Sequence, residues 1–275
     1  ENHFKEVTLL GQNVNSYNDI SGIHGKVPLQ TTFDAGAEGF RNISRRRVHG
    51  VNCAQLLDMI AQAVPEMRVR FTSPHPKDFS PEVIDVVAAH HNISKQLHMP
   101  AQSGSTKMLE RMRRGYTRDA YLNLRKSIRQ KISGMAFSTD MISGFCLETE
   151  QEHHDTLTLM QKVQYDHAFM FKYSQRAKTH AEHAYPDDVT DNVKGERLLD
   201  VIDTYETIQQ YKQQNEVGSI HLVLVDGESK RQFHDDKVNA NGEILTSKES
   251  RQQLTGRTDT NKTINFENLK VPHLA

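Results

Sequence analysis

The feature that most constrains the fold of this chain is a repeated alternation of a short apolar segment, a polar turn and an amphipathic helix. The apolar segments have the length of buried strands, and glycine, proline, asparagine or serine follows each of them. Strands that alternate with helices in this way form parallel sheets with right-handed crossovers, so the sequence predicts an α/β fold. The predicted strands cover residues 6–10, 67–71, 97–100, 135–142 and 168–173.

Helix signals lie between these strands. Pro81 fits the first turn of a helix, and Ser105 or Thr106 fits an N-cap because its hydroxyl can accept a hydrogen bond from a free backbone N–H. Residues 20–50 lack periodicity and predict a long loop, in which the basic cluster at Arg45 to Arg47 is more simply solvated than bound to phosphate. The predicted helices cover residues 52–64, 81–90, 106–113, 118–132, 150–163 and 193–214.

Composition limits the classes of function. The chain has 275 residues, of which 36% are hydrophobic and 25% are charged, and this allows one large domain or one domain with a small appendage. The formal net charge of -1 argues against a chain that binds nucleic acid through its overall charge. No apolar run is long enough for a transmembrane helix, so no membrane partner is predicted.

The sequence changes character after residue 215. Gly218 to Val225 alternates as a strand, and glycine and asparagine punctuate the short segments that follow. We therefore predict two domains, an α/β domain at residues 1–215 and a small all-β module at residues 216–275. The module has nearly equal numbers of acidic and basic residues, so its charge predicts no strong phosphate-binding surface.

The most informative single stretch runs from Lys95 to Ser105. Its strand stops at Pro100, and a polar turn through Gln102 and Ser103 follows before the next helix begins. α/β proteins place ligands at such turns, because a helix N-terminus exposes free N–H groups near the carboxyl ends of the strands. The same residues can also do no more than stabilise the turn, since short polar side chains bond to neighbouring backbone.

Four stretches resemble, in order, the signature of the radical-SAM tRNA methylthiotransferases, and most of all the animal mitochondrial branch named for a cyclin-dependent-kinase (CDK) regulatory subunit. The stretches are Val7 to Asn15, Arg70 to Pro76, Leu97 to Ser105 with Met112 to Gly115, and Ser138 to Phe145 with Glu148 to Glu150. The resemblance implies transfer of a methylthio group to C2 of an isopentenylated adenosine beside the tRNA anticodon. It also implies S-adenosylmethionine (SAM) and two 4Fe–4S clusters as cofactors, tRNA as a partner, and a mitochondrial location, with a cytoplasmic location as the alternative.

The resemblance also implies an architecture. Residues 1–215 would form a partial (β/α)6 barrel whose first strand precedes Glu1, so that the chain is a piece of a longer protein and its first strand an exposed sheet edge. Residues 216–275 would form an incomplete TRAM domain, a small β barrel that binds tRNA in the family. The TRAM-like residues are Leu222 to Gly227, Ser229 to Arg231 and Gly256 to Asp259.

Site residues follow from the same motifs. SAM presents an amine, a carboxylate, ribose hydroxyls and an adenine edge, which amides, hydroxyls and backbone groups at strand ends can bind. The resemblance places such groups at Gln12, Asn13, Gln102, Ser103, Asp140, Ile142 and Gly144. The candidate tRNA contacts are Arg176, Lys230, Arg231 and Arg257. No catalytic residue is identified.

Two residues depart from the family pattern. Leu147 stands where Gly-Phe-x-Gly-Glu-Thr has its second glycine, and Lys178 stands at the glycine of Ser-x-Arg-x-Gly-Thr. If the first of these glycines has a positive φ, leucine would cost about 1 kcal/mol or more there.

The cysteines and histidines predict no metal site. Cys53 and Cys146 are the only cysteines and lie far apart, whereas the family holds its cluster with a Cys-x-x-x-Cys-x-x-Cys loop that would lie upstream of Glu1. Fifteen histidines occur, but no set has the spacing of a zinc site, so surface positions are the simpler interpretation. We therefore expect no cluster and an inactive methylthiotransferase. The alternatives are a non-catalytic protein-binding fragment, with a CDK regulatory subunit as partner, and a decayed copy that folds poorly.

Overall fold

The computed structural model describes residues 4–21, 39–40, 50–76, 79–229, 236–238, 244–246 and 253–267. The chain divides into two compact units, the first ending at Val217 and the second beginning at Gly218. Most of the predicted loop at residues 20–50, including Arg45 to Arg47, lies outside the described residues. The identity of the two units as a partial barrel and a TRAM-like module stays a prediction.

Parallel strands carry the first unit. Its strands are β1 (Glu6–Leu9), β2 (Asn18–Asp19), β3 (Val51–Asn52), β4 (Arg68–Phe71), β5 (Gln96–His98), β6 (Ala136–Ser143) and β7 (His167–Lys172). β1 pairs in parallel with β4, and β6 pairs in parallel with both β5 and β7. A parallel bridge between Val69 and Ile93 joins β4 to the segment that leads into β5. These strands therefore follow one another in chain order, and the predicted α/β class is confirmed.

Helices connect the strands at the predicted places. They are α1 (Cys53–Ala63), α2 (Pro81–Ala89), α3 (Thr106–Arg111), α4 (Arg118–Lys131), α5 (Glu150–Val163), α6 (His180–Ala184) and α7 (Asp191–Glu216). The sequence did not predict α6, a 3-10 turn at Val14–Ser16 or the antiparallel pair of β2 and β3, because such short segments show no period. No helix in the described ranges is long and apolar enough to cross a membrane.

Side-chain caps fix where several helices begin. Asn52 and Gln55 form a capping box at α1, and Thr149 and Glu152 form one at α5. Ser105 accepts a 3.4 Å hydrogen bond from a backbone N–H in the first turn of α3, which confirms it as the N-cap. Each such cap is worth about 1 kcal/mol, because it satisfies N–H groups that the helix itself leaves free.

The parallel strands present different residues on their two faces, since side chains alternate along a strand. The apolar face packs against the helices and contains the buried residues Val69, Phe71, Leu97, Phe137 and Met141. The alternate residues form what we call the polar face. Its members include Glu6, Arg68, Arg70, Gln96, His98, Ser138 and Asp140, and on β7 it continues with His167, Phe169 and Phe171. Contacts between neighbouring strands hold the polar face, among them an ion pair of 3.0 Å between Arg70 Nε and Glu6 Oε2.

The second unit contains antiparallel strands. They are β8 (Val223–Glu228), β9 (Asp236–Val238), β10 (Ile244–Thr246), β11 (Gln253–Thr258) and β12 (Thr263–Glu267). β11 lies between β8 and β12, and β9 pairs with β10. The strand predicted from Gly218 is wrong at residues 218–222, which lie outside any strand. Ile220 and Leu222 are 98% and 81% exposed, so they gain little from packing that would hold a strand there.

Candidate functional site

Gln102 occupies the centre of the turn that follows β5. Its backbone N–H donates to the Asp140 carbonyl at 2.9 Å and its carbonyl accepts from the Ile142 N–H at 2.9 Å, so the turn continues the line of β5 along β6. This pairing holds Gln102 at a φ of 68°, a left-handed conformation that is uncommon for glutamine. The residue is 6% exposed, and within the described part of the chain its amide makes no hydrogen bond. Its side-chain amide can both donate and accept hydrogen bonds, so this group is suited to a ligand or a water molecule.

Ser103 and Gly104 pack the same turn closely against α5. The Ser103 hydroxyl lies 3.3 Å from that of Thr156 and accepts a 3.2 Å hydrogen bond from the N–H of Ser105. A Cβ atom at Gly104 would lie 2.2 Å from the carbonyl oxygen of Asp155, so only glycine fits there. Ser103 is fully buried with its hydroxyl engaged, and its contact with a cofactor stays a prediction.

The end of β6 supplies the other predicted groups next to this turn. The Asp140 carboxylate lies on the polar face, where Oδ1 is 3.6 Å from Nε2 of His98. Gly144 follows the strand with a φ of 76°, and its N–H donates a 2.7 Å hydrogen bond to the Glu148 carboxylate. The Ser143 hydroxyl is buried and has no hydrogen-bond partner among the described residues. This end of the sheet therefore contains polar groups that the protein leaves unsatisfied.

The turns after β1 and β4 lie against each other. The amide oxygen of Asn15 accepts from the His75 N–H at 2.8 Å, and its nitrogen donates to the His75 carbonyl at 3.0 Å. The amide oxygen of Asn13 accepts from the same N–H at 3.3 Å, whereas Gln12 is exposed. The sequence indicated Gln12 and Asn13 but not Asn15 as site residues, although all three belong to one polar turn.

Tyr116 connects these turns to the turn after β5. Its ring centroid lies 5.8 Å from that of His75, and its hydroxyl donates to the Pro100 carbonyl at 3.0 Å. Gln102 bridges from there to β6, and the Tyr173 N–H after β7 donates to the last carbonyl of β6 at 2.9 Å. The four stretches singled out from the sequence therefore meet at the carboxyl ends of the parallel strands.

A buried ion pair holds the turn between β6 and α5. The Glu148 carboxylate accepts from the Arg197 guanidinium of α7 at 3.2 Å, and Arg197 also pairs with the exposed carboxylate of Glu150. Burial raises the pKa of Glu148, although the hydrogen bond from the Gly144 N–H and the charge of Arg197 oppose the increase. The sequence did not indicate Arg197, because its partner lies 49 residues away.

A second ion pair closes the same turn from α3. Arg111 Nη2 lies 2.7 Å from Glu152 Oε1 and donates to the Leu147 carbonyl at 3.3 Å. Burial raises the pKa of Glu152, but hydrogen bonds from the Thr149 N–H and from Arg111 outweigh it and lower the pKa below its ordinary value. The turn is therefore fixed by charged side chains from two helices.

Both residues that replace a family glycine have a left-handed backbone. The φ angle is 61° at Leu147 and 63° at Lys178. The Leu147 N–H donates to the Asp188 carboxylate at 2.8 Å, and the Lys178 N–H donates to the Glu182 carboxylate at 2.6 Å. The φ of Leu147 is positive, which is the condition under which leucine was expected to be strained there. Glycine would be unstrained at both positions.

The polar face carries a cluster in which the motifs indicated only Asp140 as a site residue. Nδ1 of His98 lies 3.0 Å from the Ser138 hydroxyl, and the Phe169 ring meets the His98 ring in a T-shaped contact with 5.9 Å between centroids. Together with Asp140, these residues form what we call the His98 cluster. Its signal in the sequence is a polar residue at alternate positions of β5 and β6, where a strand buried on both faces would be apolar.

The predicted tRNA contacts belong to both units. Arg176 is exposed in the segment after β7. Arg257 belongs to β11, where its Nε lies 3.2 Å from the Asp226 carboxylate. Lys230 and Arg231 lie outside the described residues. A role in binding tRNA stays a prediction for all four basic residues.

The residues present do not fit an iron–sulfur cluster. Cys53 and Cys146 are buried free thiols, and burial raises the pKa of the Cys53 thiol to about 11. The cluster implied by the resemblance needs three thiolates, which the two cysteines of this sequence cannot supply. In the part of the chain that the structure describes, no group of three or more histidine, cysteine or carboxylate residues could hold a metal ion. SAM fits better, because the amide of Gln102 can donate and accept hydrogen bonds and lies among polar turns.

Comparison with known proteins finds relatives over most of the chain, although no family profile matches it. The chain is 47% identical over 231 residues to the human protein named mitochondrial tRNA methylthiotransferase CDK5RAP1, covering 84% of this chain and 38% of the relative. It is 45% identical over 269 residues to a CDK5RAP1-like protein from Oryza sativa subsp. japonica, covering 98% of this chain and 42% of the relative.

A bacterial relative is similar to the same degree. The tRNA-2-methylthio-N(6)-dimethylallyladenosine synthase of Chloroherpeton thalassium is 44% identical over 227 residues, covering 82% of this chain and 44% of the relative. The chain thus spans less than half the length of each of these three relatives. Coproporphyrinogen III oxidase from Escherichia coli, a radical SAM enzyme of known structure, matches 75% of this chain and 51% of its own with 16% identity and a TM-score of 0.41, which is too low to carry an argument.

Proposed function

The chain belongs to the family of radical-SAM tRNA methylthiotransferases, and on this premise we propose that the whole protein attaches a methylthio group to C2 of an N6-isopentenylated adenosine in tRNA. Animal and bacterial relatives named for this kind of reaction match most of the chain. Because the chain spans less than half of each relative, the activity is proposed for the whole protein and not for these 275 residues alone.

One observation supports the proposal most directly. The four family stretches lie far apart in the sequence, yet contacts between them, one of which runs through Tyr116, join them at the carboxyl ends of the strands. The His75 N–H donates a hydrogen bond to the turn after β1. The Tyr116 ring contacts the His75 ring and connects it to the turn after β5, and Gln102 connects that turn to β6. Ligands of α/β proteins bind at the carboxyl ends of strands, where turns from several strands converge.

The carboxyl ends of the strands offer groups that would hold SAM. The buried amide of Gln102 can donate to a carboxylate or accept from a hydroxyl, and its left-handed backbone is locked by β6. Gln12 and Asn13 belong to one neighbouring turn, and the strand end from Asp140 to Gly144, including Ile142, forms the other side. When bound, SAM would supply the methyl group, while these residues bind it and keep it oriented. Ser103 would contribute by holding the turn against α5.

The polar face supports a partial (β/α)6 barrel for the first unit. Helices pack on one face of strands that follow one another in chain order, and the opposite face carries charged groups that are shielded from solvent. The side chains of Arg70 and Glu6 are 6% and 17% exposed. A (β/α) barrel likewise has its helices on the outer face of parallel strands that follow one another in chain order. The antiparallel strands of the second unit support its proposed role as an incomplete TRAM-like module.

The remaining parts of the proposal concern the cluster, the location and the partners of the whole protein. A cluster would need cysteines from elsewhere, so we expect the 275-residue chain to be inactive by itself. A mitochondrial location follows the names of the human and rat relatives. The proposed partner is tRNA, bound with the help of Arg176, Lys230, Arg231 and Arg257. Binding to a CDK regulatory subunit, the alternative function, stays an untested prediction.

Deletion of the gene tests the proposed activity. tRNA nucleosides from deleted and parental cells are compared by liquid chromatography with mass spectrometry. We expect the methylthiolated isopentenyladenosine to disappear and its precursor to accumulate in the deleted cells, with recovery when the full-length protein is returned. Full-length protein with Gln102→Ala should restore the modification poorly. Phe4→Leu, which lies at the amino end of β1 and away from the site, should restore it fully. Unchanged modification after deletion would refute the activity, and equal rescue by both variants would refute only the SAM site.

A further inference from the structure

The His98 cluster is a row of side chains that crosses three strands diagonally, from His98 on β5 through Ser138 and Asp140 on β6 to Phe169 on β7. His98 lies opposite Ser138 in the register of β5 and β6, and Asp140 lies opposite Phe169 in the register of β6 and β7. Side chains on one face of neighbouring strands lie side by side, so a histidine, a hydroxyl, a carboxylate and a phenyl ring are brought together. Nδ1 of His98 is held by the Ser138 hydroxyl at 3.0 Å, which fixes the ring with Nε2 toward the carboxylate.

The aromatic end of this row is open to solvent. Phe169 is 45% exposed, and Phe171, the next residue on the same face, is 52% exposed. T-shaped contacts to the rings of His98 and His167, with centroid distances of 5.9 and 4.6 Å, hold Phe169 in position. A fixed and exposed phenyl ring beside hydrogen-bonding groups is the arrangement on which proteins stack an unpaired nucleobase.

We propose that the His98 cluster is a binding subsite for the adenine base of the RNA substrate. The Phe169 ring supplies the stacking surface, the Asp140 carboxylate accepts a hydrogen bond from the exocyclic amine, and His98 pairs with a ring nitrogen. Phe171 offers apolar surface to a hydrocarbon substituent on that amine. The inference rests on the proposed function and deepens it, since it names where the substrate base binds.

Adenine could reach this row from two sources, SAM and the RNA nucleoside. The row favours the RNA nucleoside. The exocyclic amine on the adenine of SAM carries no substituent, so it needs no apolar surface such as Phe171 provides. The proposed SAM turn through Gln102 lies beside the row, and Asp140 is the residue that the two sites share. The backbone of Asp140 accepts from the Gln102 N–H at 2.9 Å, while its side chain belongs to the polar face.

Calorimetric titration of the 275-residue chain with N6-isopentenyladenosine tests the subsite. We expect Phe169→Leu, which keeps an apolar side chain but removes the ring, to weaken binding about tenfold. Asp140→Asn should weaken binding severalfold and reduce the preference for purine over uridine. The matched control is Phe4→Leu, because Phe4 is also exposed and precedes β1 at the opposite edge. It should bind as the wild-type chain does, and circular dichroism checks that each variant is folded.

A second titration, after saturation with S-adenosylhomocysteine, separates the two sources of adenine. Unchanged affinity for the nucleoside supports a subsite for the RNA base. Loss of nucleoside binding would assign the row to the cofactor and overturn the proposal. Equal affinity of the wild-type and Phe169→Leu chains, or no nucleoside binding by the folded wild-type chain, would overturn it as well. The gene deletion measures activity independently, so the subsite can fail while the proposed function stands.

Discussion

The backbone N–H of Gly144 donates a 2.7 Å hydrogen bond to the carboxylate of Glu148, and both residues are buried in the turn between β6 and α5. Arg197 of α7 reaches the same carboxylate at 3.2 Å and donates to the Glu148 carbonyl at 2.8 Å. A distant helix therefore fixes the turn in which predicted cofactor residues lie. A carboxylate buried in this way is tolerated only while its cationic partner is present.

Replacement of Arg197 by methionine should destabilise the first unit strongly. Arg197→Met keeps much of the side-chain volume but leaves the Glu148 carboxylate buried without its partner, which costs about 3–5 kcal/mol of unfolding free energy. The matched control is Glu150→Gln, since the Glu150 side chain is 83% exposed and contacts the same arginine. An exposed ion pair contributes under about 1 kcal/mol. Urea unfolding followed by circular dichroism measures both variants, and similar small losses would show that the buried pair does not hold the turn.

The two glutamates at the start of α5 should give opposite dependences of stability on pH. The raised pKa of Glu148 means that the folded chain binds this proton more tightly than the unfolded chain does. Its contribution to stability is therefore fully present below the ordinary pKa of 4.5 and is lost as the pH rises through the raised pKa. The lowered pKa of Glu152 gives a contribution that is present above 4.5 and is lost as the pH falls through the lowered pKa.

Urea unfolding at a series of pH values, with each glutamate replaced by glutamine, separates these contributions. The difference in unfolding free energy between the wild-type and Glu148→Gln chains should decrease as the pH rises above 4.5. The corresponding difference for Glu152→Gln should decrease as the pH falls below 4.5. Two differences that change in the same direction would contradict the assigned shifts.

Glycine should be preferred to alanine at the two left-handed positions that replace a family glycine. Leu147 and Lys178 have φ angles of 61° and 63°, where any residue with a Cβ atom pays about 1–2 kcal/mol relative to glycine. Glycine has greater conformational freedom in the unfolded chain, and this entropy reduces its advantage over alanine by up to about 1 kcal/mol. We expect Leu147→Gly to be about 1 kcal/mol more stable than Leu147→Ala, with the same order at the exposed Lys178. Thermal unfolding of the four variants checks this, and equal stabilities within each pair would mean that no strain is stored.

Local features of this fold are predictable from the sequence because they depend on residues close together in the chain. Apolar periods locate the helices from α1 to α5, α7 and the parallel strands, and the hydroxyl of Ser105 marks the start of α3. The resemblance, which places a family glycine at Leu147, raised the condition of a positive φ there, and the structure meets that condition. The strand expected at residues 218–222 failed, since alternation shows that a segment can pair but not that a partner is available.

The contacts that assemble the candidate site were not predictable in this way. Asn15 meets His75 and Glu148 meets Arg197 across separations of 60 and 49 residues, and neither pair has a short motif. The exposure of Phe169 likewise depends on how three strands lie together, because an aromatic residue in a strand is ordinarily read as core. Sequence motifs therefore indicated the turns of the site but not the side chains that tie the turns together.

The two cysteines should not hold an iron–sulfur cluster in this chain. A thiolate is the form that binds iron, and burial raises the pKa of the Cys53 thiol to about 11, so almost none of it is ionised at neutral pH. Anaerobic reconstitution with iron and sulfide should leave the 275-residue chain without stoichiometric iron and without visible absorbance. Ellman's reagent should react slowly with the native chain and rapidly after unfolding in urea, because Cys53 and Cys146 are both buried. The full-length protein, treated in parallel, should take up iron, and stoichiometric iron and sulfide in the chain alone would contradict the prediction.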